Sequence, residues 1–85
     1  MNQAIQFPDR EIWDDELRAV IFPALVNGMQ LTCAIKGETL THHFGGDTPE
    51  TWLAVFREHR WDLEDAAEQM IREEQDDSQG WFWLS

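Results

Sequence analysis

Arg18-Ala19-Val20-Ile21-Phe22-Pro23-Ala24-Leu25-Val26-Asn27-Gly28-Met29-Gln30-Leu31-Thr32-Cys33-Ala34-Ile35-Lys36 decides the fold of this chain. Two runs rich in β-branched and apolar residues flank Asn27-Gly28, the pair favoured by a type I′ two-residue hairpin turn. Such a turn dictates the register, pairing Val26 with Met29, Ala24 with Leu31, Phe22 with Cys33 and Val20 with Ile35. Directly paired residues share one side of a sheet, so these eight project from a single face. The other face carries Ile21 with Ala34, Pro23 with Thr32 and Leu25 with Gln30, a more mixed set. The first face is therefore expected to meet the core. Pro23 falls at a non-hydrogen-bonded pair, so the hairpin does not need its missing N–H. It does interrupt pairing on the outer side of its strand. A further strand is expected beside Met29 to Lys36, or beyond Pro23 near Arg18.

Upstream, Ala4 to Pro8 reads as a short extended segment ended by the Pro8-Asp9 turn signal. Asp9 to Arg18 is a charged connection or a short strand around Trp13, with Ile12, Trp13 and Leu17 as inward anchors. Downstream, Leu40 and Phe44 at i, i+4 predict a short helix over 38–44, stopped by Gly45-Gly46. Asp47-Thr48-Pro49-Glu50 is a strong helix start, with Thr48 as N-cap and Pro49 at the first helical position. That helix, about 48–59, turns Trp52, Leu53 and Phe56 inward. A second helix, about 62–75, opens at Asp62 with Asp65 in a capping-box-like arrangement. Its Leu63, Ala66, Ala67, Met70 and Ile71 follow amphipathic spacing. Asp76 to Gly80 is a polar loop, and Trp81-Phe82-Trp83-Leu84 closes the chain as a final strand. The expected fold is α+β: one domain over 1–85, a small antiparallel sheet built on the 18–36 hairpin, two main helices on one face and a short C-terminal strand.

The charge is strongly one-sided, with 17 acidic against 6 basic residues and a formal net charge of −11. That balance disfavours phosphate backbones and anionic membranes, and favours a partner with a basic surface. Eight of the acids lie between Asp62 and Asp77, where the ordinary reading is a solvated helix face. With Cys33 as the single cysteine there is no intrachain disulfide. No signal peptide or membrane-length apolar run is visible, so a cytoplasmic protein is expected.

Catalytic constellations fail one by one. Cys33 sits on the predicted core face, where a thiol acts as an apolar filler. Adjacent His42 and His43 diverge by about 100° on a helix and lack metal-ligand spacing. His59 stands apart from both in the sequence. Asp14-Asp15 and Asp76-Asp77 are carboxylates in polar surroundings, without apolar residues to tune their pKa. Gly45-Gly46 before Thr48-Pro49 has no nearby Lys and reads as a turn. No phosphate loop, dinucleotide fingerprint or nucleophile elbow occurs.

Phe22-Pro23-Ala24-Leu25-Val26-Asn27-Gly28, Asp47-Thr48-Pro49-Glu50, Phe56-Arg57-Glu58-His59-Arg60-Trp61 and Gly80-Trp81-Phe82-Trp83-Leu84 together carry a resemblance. Across essentially its whole length the chain resembles the YrdB-like family, short bacterial proteins forming a domain of unknown function. Gly37-Glu38-Thr39-Leu40 departs from the family pattern, in which Ser and then Glu-Ala-Leu is more usual. The resemblance implies a small α+β fold with helices packed on a hairpin, and it invites a regulatory role.

The sequence leads to a non-enzymatic protein-interaction or regulatory module without cofactor or metal. Its expected interaction surface comprises Glu73, Glu74, Asp76, Asp77, Trp81 and Trp83. The alternatives are a small-ligand binder or minor enzyme using the region of His42, His43 and His59, and a nucleic-acid mimic or transcription-related regulator.

Overall fold

The computed structural model describes residues 4–85. Its elements are β1 (Ile5–Gln6), β2 (Ile12–Asp14), β3 (Ala19–Val26), β4 (Met29–Lys36), α1 (Gly37–His43), α2 (Pro49–Glu58), α3 (Arg60–Arg72) and β5 (Trp81–Leu84). The α+β architecture, the hairpin and the C-terminal strand are as the sequence predicts.

The hairpin register matches residue for residue, from Val26↔Met29 to Val20↔Ile35. Asn27 and Gly28 both adopt positive φ, at 53° and 83°, the geometry a type I′ turn demands. On the outer side of β3, β1 pairs with Leu25 and Val26, while β2 pairs with Ala19, Val20 and Ile21. The two flank Pro23, whose absent N–H leaves that position without a neighbour on this side. The chain between them, residues 7–11, bypasses the proline.

One feature corrects the sequence reading: the sheet is not wholly antiparallel. Thr32 pairs with Trp81 and Ile35 with Leu84, so β5 runs parallel to β4. A parallel neighbour requires a crossover, which the three helices supply by returning the chain to the Thr32 end. Alternating side chains look the same in either direction, so strand polarity was not legible in Trp81–Leu84.

All three helices pack on the predicted face. Leu40, Trp52, Phe56, Leu63, Ala67 and Ile71 join Val20, Phe22, Ala24, Val26, Cys33, Ile35, Phe82 and Leu84 in one buried cluster. Trp13 packs against it and stacks on Trp52 at 4.9 Å between ring centroids. The other two anchors expected near it face outward, with Ile12 59% and Leu17 40% exposed. Ile12 pairs with Ile21 and so shares the outer face, while Leu17 belongs to a turn closed by its N–H on Asp14 Oδ1.

Thr48 caps α2 as expected, but its reciprocal partner is Thr51, whose hydroxyl accepts from the Thr48 N–H at 2.9 Å. The capping box placed at Asp62 does not form. Helix α3 begins two residues earlier at Arg60 and carries no side-chain cap, leaving Asp62 inside its first turn. It ends at Arg72 rather than near 75, because Glu74 turns to φ 54°.

Candidate functional site

The strand positions opposite the core form a second face that takes no part in the buried cluster. By alternation these are Gln6, Ile12, Asp14, Ala19, Ile21, Pro23, Leu25, Gln30, Thr32, Ala34, Lys36, Trp81 and Trp83. Among the described residues no helix covers them, since every helix side chain buried in the core joins the cluster on the other side. Only Asp14 and Lys36 among these positions are charged, on a chain of net charge −11. Lys36 is also the sole lysine.

Register arranges this face in rows. Ile12, Ile21, Ala34 and Trp83 form one row across four strands, and Pro23, Thr32 and Trp81 form the next. Trp81 and Trp83 are half-buried and stack at 5.9 Å, with the Lys36 ammonium 6.0 Å from the Trp83 ring. Beside Pro23, where β1 and β2 part, lies a hollow of about 210 Å³ lined by Arg10, Ile12, Ile21, Pro23, Gln30 and Thr32. A larger hollow of about 630 Å³ adjoins Leu17, Lys36, Thr39 and Trp83 at the sheet's end.

The six residues expected to form an interaction surface divide into two groups. Glu73, Glu74 and Asp76 are exposed at and beyond the end of α3, where Glu73 accepts from Gln69 Nε2. Asp77 instead organises the loop before β5. Its Oδ1 accepts the N–H groups of Gln79 and Trp81, both at 2.9 Å, and its Oδ2 accepts the Trp83 indole N–H at 3.0 Å. These hydrogen bonds, led by that from Trp81, hold the carboxyl below its usual range. Asp77 is thus the residue that positions Trp81 and Trp83, which lie on the open face.

The histidines assemble into an aromatic chain. His42 meets His43 edge-on at 5.2 Å, and Phe44 stacks on His59 at 3.9 Å. Cys33 is fully buried, and desolvation pushes its thiol up to about 12. Among the described residues, no group of three or more His, Cys, Asp or Glu side chains is placed to hold a metal ion.

A network missed at the sequence level ties the N-terminal segment to the helices. Glu11 Oε2 accepts from Arg57 Nε at 2.8 Å, and its Oε1 accepts from Arg60 Nη2 at 2.6 Å. Burial pushes the Glu11 pKa up, but the two guanidinium hydrogen bonds outweigh it and the net direction is down. Glu64 also meets Arg60, at 3.4 Å, yet desolvation wins there and its pKa is raised. The hollow lined by Arg57, His59, Arg60 and the 82% exposed Trp61 is thus bordered by cations already engaged with carboxylates.

A family model described as "Protein of unknown function (DUF1488)" matches residues 5–84. The chain belongs to the DUF1488 family. Uncharacterized protein YrdB of Escherichia coli (strain K12) is 69% identical over 84 residues, covering 99% of both chains. Its Shigella flexneri counterpart is 68% identical over the same length, again covering 99% of each. The crystal structure of a DUF1488 protein of unknown function from Shewanella loihica PV-4 is similar, with TM-score 0.91 and 35% identity. That match covers 99% of this chain and 94% of the other. The DUF1488 fold therefore includes the two-layer arrangement described above. No helix among the described residues is long and apolar enough to cross a membrane.

Proposed function

We propose that the chain is a non-enzymatic protein-interaction module that binds through the open face of its sheet. The observation that carries this reading is the uncovered, nearly uncharged face with Ile12, Ile21, Leu25, Trp81 and Trp83 on a chain of net charge −11. Apolar faces of this kind mark contact surfaces, and tryptophan is enriched where interfaces concentrate their energy. Asp77 supports the same reading by fixing the orientation of the Trp83 indole and the backbone of Trp81, which reduces the side-chain entropy lost on binding. The acids Glu73, Glu74 and Asp76 lie at and beyond the end of α3 and take no part in this contact. The same negative charge opposes direct binding to nucleic acid.

Affinity capture with the purified chain tests the reading. Ile21→Arg, which places a charge at the centre of the open face, is expected to abolish specific protein capture while far-UV circular dichroism stays unchanged. Charge reversal at Glu73, Glu74 and Asp76 is expected to leave that capture in place. Capture that survives Ile21→Arg but is lost on charge reversal would move the site to the end of α3.

A further inference from the structure

We infer that the occupant of the open face is a second copy of this chain, packed sheet against sheet about a two-fold axis. This rests on the reading of that face as a protein-binding surface, and it adds the identity of the partner. Three features of the face are complementary to one another under a single symmetry operation. Consider an axis lying between two facing sheets, parallel to β3 and β4 and midway between them. It keeps each row level and exchanges left for right, so β3 lies over β4 of the other copy and β2 over its β5.

Ile12, the two indoles and the two charges of the face then each meet a counterpart. Trp83 shares a row with Ile12, so the indole of one copy covers Ile12 of the other, which is 59% exposed in the single chain. Trp81 lies in the Pro23 row and comes over the 210 Å³ hollow that opens where β1 and β2 part. Asp14, Ala19 and Lys36 share a third row, so each Lys36 is carried over Ala19 and within side-chain reach of the other copy's Asp14. The two charged strand positions of the face thereby pair with each other twice, as an isologous contact requires.

Size and field agree with this arrangement. Only β3 and β4 run eight residues, so the strands of the face cover roughly 400 Å² per copy before side-chain relief is counted. Two copies cover about 800 Å² in this flat projection, to which the projecting side chains of Ile12, Trp81 and Trp83 add, a size that suits a weak, reversible dimer. Facing sheets pack about 10 Å apart, and each α3 lies behind its own sheet. The acidic faces of the two copies are thus separated by several Debye lengths at physiological salt, so the net charge does not forbid association.

Sedimentation equilibrium on the full chain, over a wide concentration range, is the test. The wild type is expected to dimerise reversibly. Ile21→Arg, or Ile12→Arg should the first variant fail to fold, is expected to weaken the dimer by roughly tenfold or more. Asp14→Lys alone and Lys36→Asp alone are each expected to weaken self-association, while an equimolar mixture of the two restores it by forming the mixed dimer. A wild type that stays monomeric at every concentration overturns the inference, as does a dimer indifferent to both Ile12→Arg and Ile21→Arg. Failure of the mixture to recover overturns the two-fold arrangement. A monomer whose open face still captures another protein refutes the second copy alone, whereas loss of both self-association and capture refutes the protein-binding reading as well.

Discussion

Asp77 Oδ2 accepts the indole N–H of Trp83 at 3.0 Å, so the loop before the last strand fixes the orientation of that strand's outward aromatic. The other oxygen holds the backbone N–H of Trp81, and the Asp77 N–H in turn donates to the Trp81 carbonyl at 2.8 Å. One residue near the chain's acidic end is therefore a turn-former, and its charge is spent on local donors rather than offered to a partner.

Asp77→Ala is expected to lower the thermal midpoint and to shift tryptophan emission to the red as Trp81 and Trp83 loosen. The pH dependence has a definite sign. The folded pKa lies below the ordinary value of about 3.9. The contribution is therefore complete above that value and lost as pH falls through the folded pKa. Acid melts of wild type and variant should converge in that window.

Glu11→Gln is expected to cost about 1–3 kcal/mol at neutral pH, because it weakens hydrogen bonds to two guanidinium groups while Asp9 and Glu64 still neutralise Arg60. Glu11 has a depressed folded pKa, so its stabilisation is present above about 4.3 and disappears as pH falls below it. Glu64 titrates in the opposite sense. Its folded pKa is raised, so protonating it in the folded state offsets part of the acid loss. Chemical denaturation across pH should show Glu11→Gln flattening the acid fall in stability and Glu64→Gln steepening it.

Gly37 is buried at the start of α1, and a Cβ there would lie 2.8 Å from the Trp52 ring. Trp52 is itself held by a 2.8 Å hydrogen bond from its indole N–H to Thr41 Oγ1 and by the stack with Trp13. Gly37→Ala must displace that ring and is expected to cost about 1–3 kcal/mol, read from urea unfolding. The half-buried Gly45 has no heavy atom within 4 Å of a Cβ, so its φ of 104° leaves only backbone strain to resist substitution.

Cys33 lies between Phe22 and Phe82 in the register, fully buried, with its thiol pushed up to about 12. An aromatic disulfide reagent at pH 8 should leave the folded chain unlabelled over hours and label it at once in denaturant. Labelling without denaturant at the rate of a free thiol would show that the sheet opens locally at this pair.

The hairpin was legible because everything that specifies it is local. Asn27-Gly28 dictates the turn, the turn dictates the register, and the period of two assigns each residue to a face. Thr48-Pro49 marked the start of α2 for the same reason, since a cap is satisfied within one turn of helix. Asp62 misled because a capping pattern inside a run of helix formers has no force once the helix has begun at Arg60. Ile12 misled because apolar character does not reveal which face of an edge strand is turned inward. Its partner Ile21 decides that, and their pairing depends on Pro23 dividing the outer side of β3 between two short strands.

The candidate site was legible only in its members. Trp81 and Trp83 were visible as an aromatic strip and Asp77 as an acid. That Asp77 binds Trp83, that β5 runs parallel to β4, and that Ile12 and Trp83 share a row are facts of tertiary structure. So is the junction of Glu11 with Arg60 across 49 positions of sequence. Taken alone, the amino-acid sequence determined the hairpin, its register, its core face and the acidity of the surface, because turn geometry and side-chain period act over a few residues. Only the folded chain decided the direction of the last strand and which face stayed uncovered. Those depend on where three helices return the backbone, and no local pattern encodes that.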